Sequence, residues 1–286
     1  MVEIGSVEKN KAGERFFFNS GGKNLYGNLH YAAAPSRKFG WVFCDPFAEE
    51  KLWAQRILFN LARRFAGHGY PVIRFDYMGH GDSEGIFTDT SLASRIENIL
   101  SAIAVMRERG EVEHIGLFGL RLGAALALKA LQREASAEAV ILWAPALNIT
   151  DYIYDCLRSN LTTQMVVHQK VLETRDKLVR RMVAGETVNI DGYELPGILY
   201  KEGEALNREG LVPERPCKSF VLDIVRRQRP FGPDLQKFQE QWETRGGEIQ
   251  VSQSVFDPFW TELRNYYPSA PELNEKTVAF AENLTG

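Results

Sequence analysis

One stretch, His114 to Leu128 (HIGLFGLRLGAALAL), constrains this chain more than any other. It reads as a short apolar strand, a turn at Gly119-Leu120-Arg121-Leu122-Gly123, and a helix that opens at once. Two glycines four apart let a strand turn sharply and a helix pack close behind it, because neither carries a Cβ. The spacing therefore places Arg121 at a tight bend, at a helix N-terminus. Free backbone N–H groups and the positive end of the helix dipole gather at such a point.

The segments on either side repeat the strand–helix rhythm. Arg15–Asn19 and Gly27–Ala33 suit two strands joined by a turn at Ser20-Gly21-Gly22. Phe39–Cys44 is a compact apolar run, fit for a buried strand, and it ends in the loop Asp45-Pro46-Phe47-Ala48-Glu49-Glu50. Trp53, Ile57, Leu61 and Phe65 fall four apart on one helical face. Pro71–Tyr77 is the next strand, followed by a turn-rich loop through Gly79-His80-Gly81. Leu92, Ile96, Ile99, Ile103 and Met106 form a second stripe, with Asp89 or Ser91 as cap. Ala139–Ala144 is another buried strand. Such alternation predicts a mostly parallel sheet with helices on both faces.

The rhythm breaks from Leu147 to about Arg215, which reads as helical and charged. A helix is expected over Leu161–Met182, carrying His168, and a hairpin over Glu186–Leu195 with Asp191-Gly192 at its turn. Alternation resumes with strand Lys218–Val225, helix Pro233–Arg245 and strand Glu248–Ser254. A last helix opens near Pro271, with Ser269 and Glu272 as a capping box. The expected domains are a core of residues 1–146 and 216–286, with residues 147–215 inserted as a lid.

In this order of elements the chain resembles the α/β-hydrolase superfamily along nearly its whole length. The marks are the loop Asp76-x-x-Gly79-His80-Gly81-x-Ser83, the glycine frame at Gly119 and Gly123, and the inserted segment. The frame is that of the superfamily's nucleophile elbow, Gly-x-Ser-x-Gly, with arginine in the serine position. A narrower resemblance is to the exosortase A system-associated hydrolases, type 2 group. It is carried by Pro46-Phe47-Ala48-Glu49-Glu50, Gly119-Leu120-Arg121-Leu122-Gly123, Leu142-Trp143-x-Pro145 and Asp191-Gly192-Tyr193-Glu194-Leu195. That group's loop opens His-Pro-Phe where this chain has Asp45-Pro46-Phe47. The resemblance implies service to exopolysaccharide or protein-sorting machinery, and an oxyanion hole from the N–H groups of Leu122 and Phe47.

A serine hydrolase of this fold orders its triad as serine, then acid, then a histidine after the last strand. The five histidines are His30, His68, His80, His114 and His168, so none falls in the loop Val255–Trp260 that holds Asp257. The loop after Val225 runs Arg226-Arg227-Gln228-Arg229, with its first carboxylate at Asp234, and Asp151 is an earlier candidate acid. Arginine offers only donors and stays protonated, so Arg121 is no nucleophile. Two readings of it stand: an anion site, or an internal pair with Asp45, Glu49 or Glu50. His80 suits a turn held by local hydrogen bonds, on a sheet edge that lines ligand crevices. Cys44, Cys156 and Cys217 are odd in number and far apart, which argues against a disulfide framework and a zinc site.

Net charge is −3, which supplies no basic field for nucleic acid, and no apolar run is long enough to span a membrane. The opening residues lack the apolar core of a signal peptide, so a cytoplasmic protein without cofactor or metal is expected. The leading expectation is a hydrolase-like protein without the serine mechanism. It binds an anionic or acyl small molecule through Arg121, Leu122, Phe47, Asp45, Glu50, His80 and Asp257, or a protein partner through the lid. The alternatives are an ester or thioester hydrolase with water activated by Asp45, Glu49 or Glu50, and a scaffold with a closed pocket.

Overall fold

The computed structural model describes residues 13–33, 35–134, 137–190, 192–261, 267 and 269–285, apart from the side chains of 159–163, 166–168 and 285. Asp191 lies outside the described residues, as does the side chain of His168. The strands are β1 (Glu14–Ser20), β2 (Lys23–His30), β3 (Phe39–Cys44), β4 (Val72–Phe75), β5 (His114–Leu120), β6 (Ala137–Trp143), β7 (Val188–Ile190), β8 (Tyr193–Leu195), β9 (Lys218–Val225) and β10 (Ile249–Val255). The helices are α1 (Glu49–Gly67), α2 (Leu92–Gly110), α3 (Leu122–Arg133), α4 (Ile149–His168), α5 (Arg175–Val183), α6 (Ile198–Glu209), α7 (Pro233–Thr244) and α8 (Pro271–Thr285).

Eight strands form one sheet in the order β1-β2-β4-β3-β5-β6-β9-β10. The pairs β1–β2 and β2–β4 are antiparallel, and every pair from β4 to β10 is parallel. The central strands β3, β5 and β6 are apolar except for His114 and Glu138 near the starts of β5 and β6, because both faces are covered. Val42, Leu117, Val140 and Leu142 face one buried cluster with residues of α2 and α3. Trp41, Phe43, Phe118, Ile141 and Trp143 face the other, against α1 and α8.

Residues 147–215, between β6 and β9, hold α4, α5, α6 and the β7–β8 hairpin. This segment packs against the helices of the sheet. Ile149, Leu157, Leu178, Met182 and Leu199 belong to the same buried cluster as α2 and α3. Glu202 on α6 accepts from the Leu92 N–H at the start of α2 (2.5 Å), and Lys129 on α3 pairs with Glu209 (2.7 Å).

Two local expectations change. The helix expected over 161–182 is two helices, because Gln169 turns left-handed at φ 55° and residues 169–174 leave the helix. Gln164 stabilises the break by accepting from the N–H groups of Leu172 and Glu173. At the last helix, Glu272 receives Ser254 Oγ (3.0 Å) and Lys276 Nζ (2.9 Å), and Asn274 N–H donates to the Ala270 carbonyl, which places the cap one residue beyond Ser269.

Candidate functional site

The bend between β5 and α3 is as tight as its glycines imply. Arg121 has φ 55° and ψ −120°, a conformation that costs a non-glycine residue roughly 1–3 kcal/mol and persists only where its surroundings enforce it. Those surroundings are visible. Arg121 N–H donates to the Trp143 carbonyl, and its own carbonyl accepts from Ala124 and Ala146, each at 3.1 Å. A Cβ at Gly119 would stand 2.4 Å from Ala124 Cα, and one at Gly123 would stand 2.1 Å from the Cys44 carbonyl. Both glycines are therefore steric requirements of the turn.

The loop after β3 mirrors this strain. Ala48 sits at φ 48° and ψ −126°, immediately before α1. Among the described residues, the backbone N–H groups of Phe47 and Leu122 have no hydrogen-bond partner. The two donors expected from the resemblance are thus unpaired on adjoining turns.

The Arg121 side chain is held inside the protein. Nε donates to Glu50 Oε1 (3.1 Å), and the guanidinium lies 5.2 Å from the Tyr152 ring centroid and 5.4 Å from that of Trp260. Glu50 Oε2 accepts from Tyr152 Oη at 2.7 Å. The side chains of Arg121 and Glu50 are 22% and 17% exposed, so the pair is mostly screened from water. Burial pushes the Glu50 carboxyl up, against the opposing pull of Arg121 and Tyr152. Burial works against the charge of Arg121 more than any one neighbour supports it, but Glu50 and Tyr152 together outweigh it and the guanidinium is held above its ordinary value. Cys156 joins this cluster from α4, its thiol pushed up to about 12 by burial and by Glu50, so it is no thiolate at neutral pH.

The three candidate acids separate. Only Glu50 reaches Arg121. Asp45, 2% exposed, faces Arg74 (3.5 Å) and Lys51 (3.9 Å) instead, and is shut off from the water that a general base would need. Glu49 starts α1 and acts on Tyr193. His80 is nearly buried; its Nδ1–H donates to the Met78 carbonyl and its Nε2 accepts from Arg95 (3.1 Å), which can only donate. Burial and the Arg95 charge lower its pKa to about 2, so it is a neutral structural ring. Asp257, in the loop after β10, accepts from Tyr267 Oη (2.6 Å) and lies 3.9 Å from Arg226 in the loop after β9. Arg229 lies 4.0 Å from Asp223, so the basic run is engaged locally. Asp151 is exposed at the start of α4.

No motif in the sequence marks Tyr152 or Cys156 as a site residue. Their only signal was position on the helix that follows β6. A cavity of about 670 Å³ opens beside the start of α1, and no residue of the elbow, Arg121 included, lines it. It is bounded by the start of α1, the loop Asp76–Asp82, Phe87 and the β7–β8 hairpin. Among the described residues, no cluster of three or more His, Cys, Asp or Glu side chains is placed to hold a metal, and no helix is long and apolar enough to cross a membrane.

A mostly parallel sheet of this order, covered by helices on both faces and turned by this elbow, is the α/β-hydrolase fold. Within that fold, the model of the family described as "Serine aminopeptidase, S33" matches residues 54–192, a span that includes the elbow. Est1E from Butyrivibrio proteoclasticus, solved with ferulic acid, is similar at TM-score 0.66 and 15% identity, over 94% of this chain and 98% of that one. An esterase from Pyrococcus furiosus is similar at TM-score 0.60 and 16% identity, over 100% and 96%. The mouse alpha/beta hydrolase domain-containing protein 10 is similar at TM-score 0.57 and 17% identity, over 95% and 99%. Compared with curated protein sequences, the chain matches none.

Proposed function

We propose that this protein uses an α/β-hydrolase fold for binding and not for serine-dependent hydrolysis. The observation that carries the reading is Arg121, held at φ 55° on the elbow tip where a nucleophile of this fold stands, and neutralised by Glu50. A guanidinium cannot attack a carbonyl, and His80 is not free to activate a substitute, since it spends both ring nitrogens on Met78 and Arg95. An anionic or acyl ligand at Arg121 would have to displace the Glu50 carboxylate and compete with Tyr152 and Trp260. The open cavity beside α1 needs no such displacement, and is the ligand site in this reading. The motifs shared with the exosortase-associated hydrolases connect this role to exopolysaccharide or protein-sorting machinery, with residues 147–215 as its lid.

One observation favours a second reading. Glu50, with its pKa raised, lies in the first turn of α1 three residues after Phe47 and reaches Arg121, the neighbour of Leu122, so a carboxylate and two unpaired N–H donors come from the same pair of turns, the groups a water-activating ester or thioester hydrolase would need. Turnover of short- and long-chain nitrophenyl esters and acyl thioesters, together with labelling by a fluorophosphonate, separates the two. The binding reading expects no label and no turnover above buffer, in the wild type and in Arg121→Ser alike. Wild-type turnover that collapses in Glu50→Gln would overturn it in favour of the hydrolase.

A further inference from the structure

We infer that the cavity beside α1 is a site for an organic cation, a substituted ammonium group seated between an aromatic wall and two free carboxylates. The cavity holds about 670 Å³, the size of a small-molecule site. Its charged lining is Lys51, Asp76, Asp82 and Glu194. Lys51 donates to Asp76 and lies 3.9 Å from Asp45, so the one lining cation among the described residues is already neutralised. Asp76 is committed further, since it also accepts from the Asp82 N–H (3.1 Å). The fixed position of that carboxylate is built into the loop: a Cβ at Gly81 would stand 2.1 Å from Asp76 Oδ2. Asp82 and Glu194 are exposed, and among the described residues their carboxylates have no partner. A ligand entering the cavity therefore meets a net negative lining, which concentrates cations in a cleft.

The second element is aromatic. Tyr193 and Phe87 line the same space, with ring centroids 5.6 Å apart, and Phe87 packs on His80 at 4.7 Å. His80 itself stays neutral, and the buried Arg95 that holds it from behind does not reach the cavity lining. Ring faces attract a weakly hydrated ammonium, most of all where water is partly excluded. Leu52, which is exposed and also lines the cavity, offers an apolar surface to the alkyl groups of such a ligand. Inorganic cations gain little from rings and from Leu52, and anions are repelled. The inference rests on the binding reading only in taking this cavity as the ligand site.

The test uses the full chain and a matched pair of probes, choline and its uncharged carbon isostere 3,3-dimethylbutan-1-ol, titrated by NMR at low and moderate salt. Choline is expected to saturate with a dissociation constant in the millimolar range, and the isostere to bind about tenfold more weakly. Asp82→Asn/Glu194→Gln and Tyr193→Leu are each expected to weaken choline binding about tenfold while leaving the thermal midpoint in place. Equal binding of the two probes, an absence of saturation for choline, or unchanged affinity in the carboxylate double variant would overturn the proposal. The comparison of probes on the wild type keeps its force if a variant fails to fold. Ester turnover would overturn the binding reading without altering this result, and failure of choline to bind would leave the turnover test standing.

Discussion

Breaking the Arg121–Glu50 pair from either side is expected to cost about as much as losing it whole. Arg121→Met keeps a long apolar stem between Tyr152 and Trp260 but leaves Glu50 without its cation. Removing one partner of a fully buried pair costs about 3–5 kcal/mol. The side chains here are 22% and 17% exposed, so water recovers part of that, and about 2–3 kcal/mol remains. Glu50→Gln retains an acceptor for Tyr152 but leaves the guanidinium unneutralised, and is expected to cost about 2 kcal/mol. In the double variant neither charge is orphaned. Its cost is expected to fall short of the sum of the singles by about 2 kcal/mol, a coupling typical of residues in direct contact. Urea denaturation followed by circular dichroism reads all four states of the cycle, with unchanged m-values required for a two-state comparison. Single variants within about 0.5 kcal/mol of wild type, or a strictly additive double variant, would refute the claim that this pair closes the elbow.

Three further outcomes follow from the geometry. His80, with its pKa lowered to about 2, and His30, lowered to about 4 by burial and nearby arginines, are neutral in the fold but charge near 6.5 when unfolded. Their contribution to stability is complete above that value and is lost as pH falls from 6.5 towards 4 and 2. Stability at pH 5 should therefore be lower than at pH 7 by about 2 kcal/mol for each, and His80→Asn should remove about half of this pH dependence in paired urea titrations. Ala48→Gly relieves a φ of 48° and is expected to raise stability by about 0.5–1 kcal/mol, read as a higher thermal midpoint; a lower midpoint would show that the strain is not there. Gly123→Ala forces a methyl group to within 2.1 Å of the Cys44 carbonyl and should cost about 3 kcal/mol or more, seen as loss of soluble protein or of the cooperative transition, and normal yield and stability would contradict it.

The elbow was legible because its information is local. Gly119 and Gly123 are needed by atoms a few residues away or on the adjacent strand, and the apolar run before them must be a strand if both faces are covered. The partner of Arg121 was legible only as a set. Asp45, Glu49 and Glu50 share one short loop, and spacing does not tell which carboxylate turns inward. The choice is made where α1 begins, in the strained step at Ala48, which sends Glu50 to the elbow and leaves Asp45 with Arg74 and Lys51. Tyr152 lies 102 residues from Glu50, and the cavity is walled by the start of α1, the loop after β4, Phe87 and the β7–β8 hairpin, which meet only in the folded chain. No periodicity encodes such meetings. The break at Gln169 was hidden for a different reason: residues 161–182 carry helical spacing across it, and the side chain of Gln164 ends the first helix from within.

The Glu50 carboxylate also bears on the lifetime of the fold. Its two oxygens join α1 to the elbow across 71 residues and to the insertion across 102. Contacts of such sequence separation form only after the long intervening loops have closed, and so come late in folding. A late contact slows unfolding and leaves the folding rate nearly untouched. The Glu50 carboxylate, with Arg121 at the elbow tip as its partner, thus acts as a kinetic brake, and loss of the pair would be felt first as faster opening of the native state.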